Sequence, residues 1–165
     1  MRLTRYTDYA MRVLLHLAAR DDGLASIAEI ARLYDISQNH LMKVVQDLGK
    51  AGFIRTVRGR GGGIALARPA DQIVVGEVVR QTEDGFQLVD CSQCVIAPAC
   101  TLPRALNEAT AAFIAVLDKY SLADLMDKRN QMRTLFGITD RAELVEAAPS
   151  APSPEPPSPP AARGR

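Results

Sequence analysis

Tryptophan is absent from this 165-residue chain, aromatic residues make up only 5% of it, and cysteine occurs three times. No apolar run approaches the length needed to cross a bilayer, and the N-terminus lacks the apolar core of a signal peptide. Those absences argue against a membrane or secreted protein and favour the cytoplasm. An odd number of cysteines is a poor disulfide framework. In a reducing compartment, three clustered thiols read instead as metal-binding or redox-active. The net charge is only +1, so the total charge carries no sign of a nucleic-acid partner. The glycine-rich stretch matches neither the Walker A nor the Rossmann spacing, which sets nucleotide-binding loops aside. A hydrophobic content of 47% is still ample for a core.

The distribution of charge says more than its sum. From Arg2 to Arg68 there are eleven Lys/Arg against six Asp/Glu, while the remainder is neutral to acidic. A basic lobe joined to a neutral one is the pattern of a nucleic-acid reader with a separate partner surface.

Within that lobe, Tyr6, Tyr9, Ala10, Val13, Leu14 and Leu17 recur at helical spacing and predict a helix over residues 7–20, ended by Asp21-Asp22-Gly23. Ser26, with Glu29 at the capping-box position, opens a second helix carrying Ile27, Ile30, Ala31 and Tyr34. After a turn at Asp35-Ile36, Ser37 caps a third, with Leu41, Val44, Val45 and Leu48 inward and Gly52 at its close. A helical hairpin alone says little about DNA. Here it is followed by a strand over 53–57, a flexible tip at Gly59-Arg60-Gly61-Gly62-Gly63 and a returning strand over 64–67, which together make a winged helix. The wing glycines permit positive φ and close approach to phosphate. Ser37, Gln38, Asn39, His40 and Lys43 at the start of the third helix are the candidate base- and phosphate-reading residues, with Arg58, Arg60 and Gly61 on the wing.

A short amphipathic helix over 75–81 and an extended segment at 87–89 lead to the cysteines, spaced Cys91-x2-Cys94-x5-Cys100. Three readings compete. Structural zinc needs four closed ligands, and His16 and His40 lie far off in sequence. A dithiol switch through Cys91 and Cys94 suits the CxxC spacing. An iron–sulfur cluster, [4Fe-4S] or [2Fe-2S], suits the count best: three thiolates leave one iron for an oxygen or nitrogen ligand and open to a small molecule.

Thr101 caps a long helix with Pro103 in its first turn, and Leu102, Leu106, Ala109, Phe113, Val116 and Tyr120 form a heptad seam suited to a homodimer. Ser121 with Asp124 opens a further short helix carrying Leu122, Leu125 and Met126, and past Ile138 the pattern fades into a Pro-rich tail, expected to be disordered. The expected architecture is mostly α: a winged helix-turn-helix over 1–68, a cysteine loop and C-terminal dimerisation helices over 69–138, and the tail over 139–165. A small electron-transfer or cluster-carrier protein is the alternative of another class. It has no use for a basic winged helix.

Met1-Arg2-Leu3-Thr4 with Thr7-Asp8-Tyr9-Ala10, Ile36-Ser37-Gln38-Asn39-His40, Val57-Arg58-Gly59-Arg60-Gly61-Gly62-Gly63-Ile64 and Ser121-Leu122-Ala123-Asp124-Leu125 together resemble the NsrR/IscR/RirA-type (Rrf-two) family of winged-helix iron–sulfur regulators. The likeness covers about residues 1–138. Leu88-Val89-Asp90-Cys91, Ile96-Ala97-Pro98-Ala99-Cys100 and Asn39-His40 are most similar to the nitric-oxide-sensing branch. That resemblance implies a non-enzymatic repressor that binds palindromic operator DNA as a homodimer. It also implies a cluster held by Cys91, Cys94 and Cys100, completed by Asp8 from the partner subunit. The gap between the first two cysteines is shorter than the family's usual one, and Gly137-Ile138 resembles the iron-responsive branch, so an iron- or redox-responsive regulator stands as the alternative.

Overall fold

The computed structural model describes residues 2–20 and 23–138. The Asp21-Asp22 stop and the tail over 139–165 lie outside them. The first helix, α1 (Arg5–Ala19), starts one turn fraction earlier than its apolar pattern implies, because Thr4 is the N-cap and its hydroxyl accepts from the Thr7 amide at 3.3 Å. In α2 (Ile27–Leu33) the Ser26 hydroxyl accepts from the Glu29 amide at 3.0 Å. The Glu29 carboxylate does not complete a capping box. It takes the Arg20 guanidinium at 2.5 Å instead, tying α2 to the end of α1. Asp35, at φ 51°, turns the chain into α3 (Gln38–Lys50). Ser37 occupies the N-cap position but makes no capping side-chain bond, and the residue is exposed.

Ala10, Val13, Leu14 and Leu17 of α1, Ile30 of α2, and Leu41, Val44 and Leu48 of α3 are almost fully buried against one another. Each Val, Leu and Ile side chain among them contributes roughly 1.5–3 kcal/mol by leaving water. Strands β1 (Ile54–Val57) and β2 (Gly63–Leu66) pair antiparallel, Ile54 with Leu66 and Val57 with Gly63, and Ile64 bridges back to Ala25. Phe53 and Ala67 flank the strands rather than belong to them, though the Ala67 amide still bonds the Phe53 carbonyl at 2.9 Å.

The core continues past the wing. Ile73 and Val78 of the segment around α4 (Val75–Thr82), and Leu122 much later, join the same cluster. The chain after α5 (Leu102–Leu117) returns to cover α4: Val75 donates to Tyr120 at 2.8 Å, Leu122 to Ile73 at 2.9 Å, and Arg80 clamps Asp118 at 2.7 and 3.1 Å. Tyr120 therefore lies in the turn beyond α5, not on its helical seam. Thr101 stands at the N-cap in αR conformation without a side-chain bond. The predicted helix after Ser121 is a single 3-10 turn, Asp124–Met126, closed by reciprocal Ser121–Asp124 bonds of 2.7 to 3.2 Å. A further helix the sequence pattern did not reveal, α6 (Arg129–Leu135), docks on α1. The Arg133 guanidinium reaches the Ala19 carbonyl at 2.9 Å, and the Phe136 ring lies 5.0 Å from the buried His16 ring.

Candidate metal centre and nucleic-acid interface

The three cysteines sit on a loop made of short turns. Asp90 accepts from the Ser92 amide at 2.9 Å, which holds its carboxyl below the usual carboxylate range. Successive turn bonds then run from Cys94 to Cys91, Ala97 to Cys94, and Cys100 to Ala97, at 3.1 to 3.4 Å. Cys91 and Cys100 are half-buried, Cys94 is exposed, and none is in a disulfide. The donors suit an iron–sulfur group in kind and number. Among the described residues, however, no three His, Cys, Asp or Glu side chains converge as a metal site, so the loop would have to draw together around a metal. Val95 is 95% exposed beside them, and Ile96 also faces solvent. Asp8 is half-exposed on α1 and ion-paired with Arg12 at 2.8 Å, so it would have to leave that pair to bind iron.

Upstream of this loop, Glu83 stands at the C-cap of α4. Its carboxylate accepts from the Thr4 amide at 2.8 Å, the Thr4 hydroxyl at 3.0 Å and the Thr7 hydroxyl, while Thr7 also bonds Thr82 at 2.9 Å. Burial, the largest single influence, pushes the Glu83 pKa up; the bonds from Thr7 and Thr4 together outweigh it and leave the carboxyl below its ordinary value. The residue that launches the cysteine loop is thus also a second cap on α1. Sequence reasoning missed it, because a pairing across 79 residues leaves no periodic trace.

Gln38, Asn39, His40 and Lys43 are exposed along the opening turns of α3, beside exposed Ser37, and Arg58, Arg60 and Gly61 are exposed on the wing. The structure therefore brings the first group together on one turn and the second on one hairpin tip. Gly61 adopts φ 77°, which any side chain resists. A Cβ on Gly62 would collide with the Val57 carbonyl, so this close approach serves the hairpin itself rather than a phosphate. Between Arg2 and Arg68, Arg12, Arg20, Lys50 and Arg68 are held in ion pairs. Arg2, Arg5, Lys43, Arg55, Arg58 and Arg60 have no such partner among the described residues. Free cations around an exposed helix turn and a wing can bind a polyanion.

The Rrf2 family, described as iron-dependent transcriptional regulators, matches residues 3–128. The chain is similar to the HTH-type transcriptional regulator NsrR of Bacillus subtilis (strain 168), with 51% identity over 82% of this chain and 97% of the relative. It is also similar to NsrR of Geobacillus kaustophilus (strain HTA426), with 50% identity over 82% and 96%. Among solved structures, T. potens IscR superposes with a TM-score of 0.65 at 26% identity, covering 78% of this chain and 88% of that one. CymR, the global cysteine regulator of B. subtilis, gives 0.59 at 25%, covering 76% and 95%. Among the described residues no helix is long and apolar enough to cross a membrane.

Proposed function

Since the chain belongs to the Rrf2 family of transcriptional regulators and is NsrR-like within it, we propose that it is a homodimeric repressor whose grip on palindromic operator DNA depends on an iron–sulfur cluster and is released by nitric oxide. Cys91, Cys94 and Cys100 would hold the group as thiolates, and Asp8, contributed across the dimer, would supply the fourth ligand. When bound, the cluster supplies an iron without thiolate, the point at which nitric oxide can attack. The observation that carries this reading is the run of three unpaired thiols on a loop that leaves α4 at Glu83, the residue that also holds the first turn of α1.

The chain's own residues do the rest. Ligation by the three thiolates would gather the cysteine loop and constrain the chain that runs to it from Glu83. Glu83 fixes the N-terminal turn of α1, and α1 packs on α3 through Leu14, Leu17 and Leu41. Residues 1–68 act as the reading head and 69–138 as the sensor and dimer half. The exposed Leu102 and Val116 on α5, with half-buried Leu106 and Phe113 between them, form the self-association face. Two copies then present their α3 helices about 34 Å apart, one turn of duplex. A clean switch needs the two states to differ in operator affinity by several kcal/mol, about 5.5 for a full reversal from 1:99 to 99:1.

The test is anaerobic purification followed by operator titration, using duplexes selected from a random pool. The expected protein is brown, carries iron and acid-labile sulfide, binds a palindrome, and releases it on addition of nitric oxide. A colourless protein with one zinc per chain would make the loop a structural metal site. Equal binding by apoprotein and holoprotein would refute conditional repression. The CxxC spacing, with the Cys94 amide closing a backbone turn on the Cys91 carbonyl at 3.2 Å, supports a dithiol switch as the second reading. In that case DNA binding follows thiol oxidation and is indifferent to iron.

A further inference from the structure

A cleft of about 280 Å³ opens between the first two turns of α1 and the start of α3, lined by Arg5, Tyr6, Tyr9, His40, Lys43 and Val44. We propose that Arg5 and Tyr9, neither of which the sequence pattern marks as a DNA contact, join His40 and Lys43 to seat a backbone phosphate of the bound duplex there. This rests on the operator-binding reading and extends the contact surface from α3 and the wing onto α1.

The Tyr6 hydroxyl donates to Asp47 at 2.5 Å, and Asp47 also takes Lys50 at 3.0 Å, so the nearest acid on α3 is already engaged. Asp8, adjacent to Tyr9, is engaged by Arg12. Arg5, His40, Lys43 and the Tyr9 hydroxyl have no hydrogen bond or ion pair among the described residues. Four unspent donors thus face one cleft whose neighbouring carboxylates are neutralised elsewhere. Val44 and the Tyr6 ring supply an apolar wall, against which a charge-assisted bond is stronger than in open water. A guanidinium offers the forked pair of N–H groups that phosphate oxygens accept. A duplex entered by the exposed turn of α3 brings phosphates alongside that turn, and such contacts set register without reading sequence.

The test compares Arg5→Gln, Tyr9→Phe and Arg60→Gln with the wild type, all as holoprotein, in titrations of a selected operator and a scrambled duplex across salt. Arg5→Gln is expected to lower the slope of log K against log salt by about one and to weaken both duplexes by a similar factor, about fivefold or more at moderate salt. Tyr9→Phe should weaken binding less and leave the slope unchanged. Unaltered helical content and melting temperature show that each variant is folded. An unchanged slope and affinity in Arg5→Gln, with Arg60→Gln reduced, overturns the cleft and leaves operator binding intact. If the wild type binds no duplex, the operator reading falls and takes the cleft with it. If inorganic phosphate raises the melting temperature of the wild type and not of Arg5→Gln, while their duplex binding stays equal, the cleft is a small-anion site and the proposal is wrong.

Discussion

Helices α3 and α5 have similar lengths, thirteen and sixteen residues, and opposite fates. Helix α3 alternates polar with apolar positions and buries Leu41, Val44, Val45 and Leu48. Helix α5 is the more apolar of the two by composition, yet Thr110 is its one buried residue. Leu102 and Val116 are about half exposed, at 52% and 50%. A helix that is exposed because it is polar needs no partner; one that is apolar and exposed does. The reading half closes its core within one chain. The sensing half does not, since its thiols converge on nothing and its longest helix covers little. The proposed cluster and the proposed second copy would supply what is open there.

The sharpest way to break this contrast is to truncate one leucine in each half. Leu41→Ala opens a cavity beneath α3 and should cost about 2–5 kcal/mol in urea unfolding of the apoprotein. Leu102→Ala should change that stability by less than about 0.5 kcal/mol at high dilution, as a surface substitution does. Its effect should appear instead as self-association. Wild-type melting temperature should rise with protein concentration, and Leu102→Glu combined with Val116→Glu should abolish that rise. Equal cost for both alanine variants at every concentration would mean that α5 is as much a part of the monomer core as α3.

A smaller effect is expected at the joint between the halves. Glu83→Gln keeps the shape of the side chain and removes its charge, weakening the three bonds that hold Thr4 and Thr7. Hydrogen bonds to charged groups are worth more than neutral ones, and partial solvent access reduces them, so a loss of about 1–2 kcal/mol is expected. Hydrogen exchange should localise it to the first turn of α1. If Glu83 is the joint, the variant also loses part of the difference between holoprotein and apoprotein in operator affinity. A stable variant with its full regulatory ratio would uncouple the halves at this point.

The reading half was the more legible in sequence because most of its core is built from neighbours in the chain, with Ile73, Val78 and Leu122 added from later. Local apolar spacing, the Ser26 cap and the Gly-rich tip each report on structure nearby in the chain, and α1 to α3 and the hairpin follow them within a few residues. The sensing half depends on distant pairings. Nothing near Thr4 announces Glu83, and nothing near Ala19 announces Arg133. Helix α6 was missed because its apolar residues, Met132 and Leu135, make too short a pattern, and Phe136 lies just past its end. Tyr120 fitted a heptad by spacing but belongs to the turn in which its carbonyl takes the Val75 amide, since tertiary bonds there outcompete continued helix. The cysteine count and the i, i+4 spacing of Asp8 and Arg12 stand in the sequence; the failure of the ligating side chains to converge does not.

The last of the expected effects concerns His16, where the two halves meet through α6. The ring is fully buried, touches Phe136 and Tyr34, and neither nitrogen has a hydrogen-bond partner among the described residues. Glu29 lies 3.8 Å from Nε2, but Arg20 holds that carboxylate at 2.5 Å, and Arg12 stacks over Tyr34. Burial is the dominant influence and lowers the His16 pKa below its ordinary 6.5, with Glu29 opposing and Arg20 reinforcing the shift. The unfolded chain therefore binds a proton near pH 6.5 that the folded one refuses, and stability must fall as pH drops below that value. The slope from this residue is at most about 1.4 kcal/mol per pH unit. Between about pH 6.5 and 5 it is separable from the lowered carboxyls of Glu83 and Asp47, which act below the usual acid range. His16→Leu removes the titration and two unpaired polar atoms, so its stability should be flat across that window and no lower than wild type at pH 7. A parallel slope in wild type and variant would show that the ring is protonated in place, with Glu29 drawn away from Arg20 to meet it.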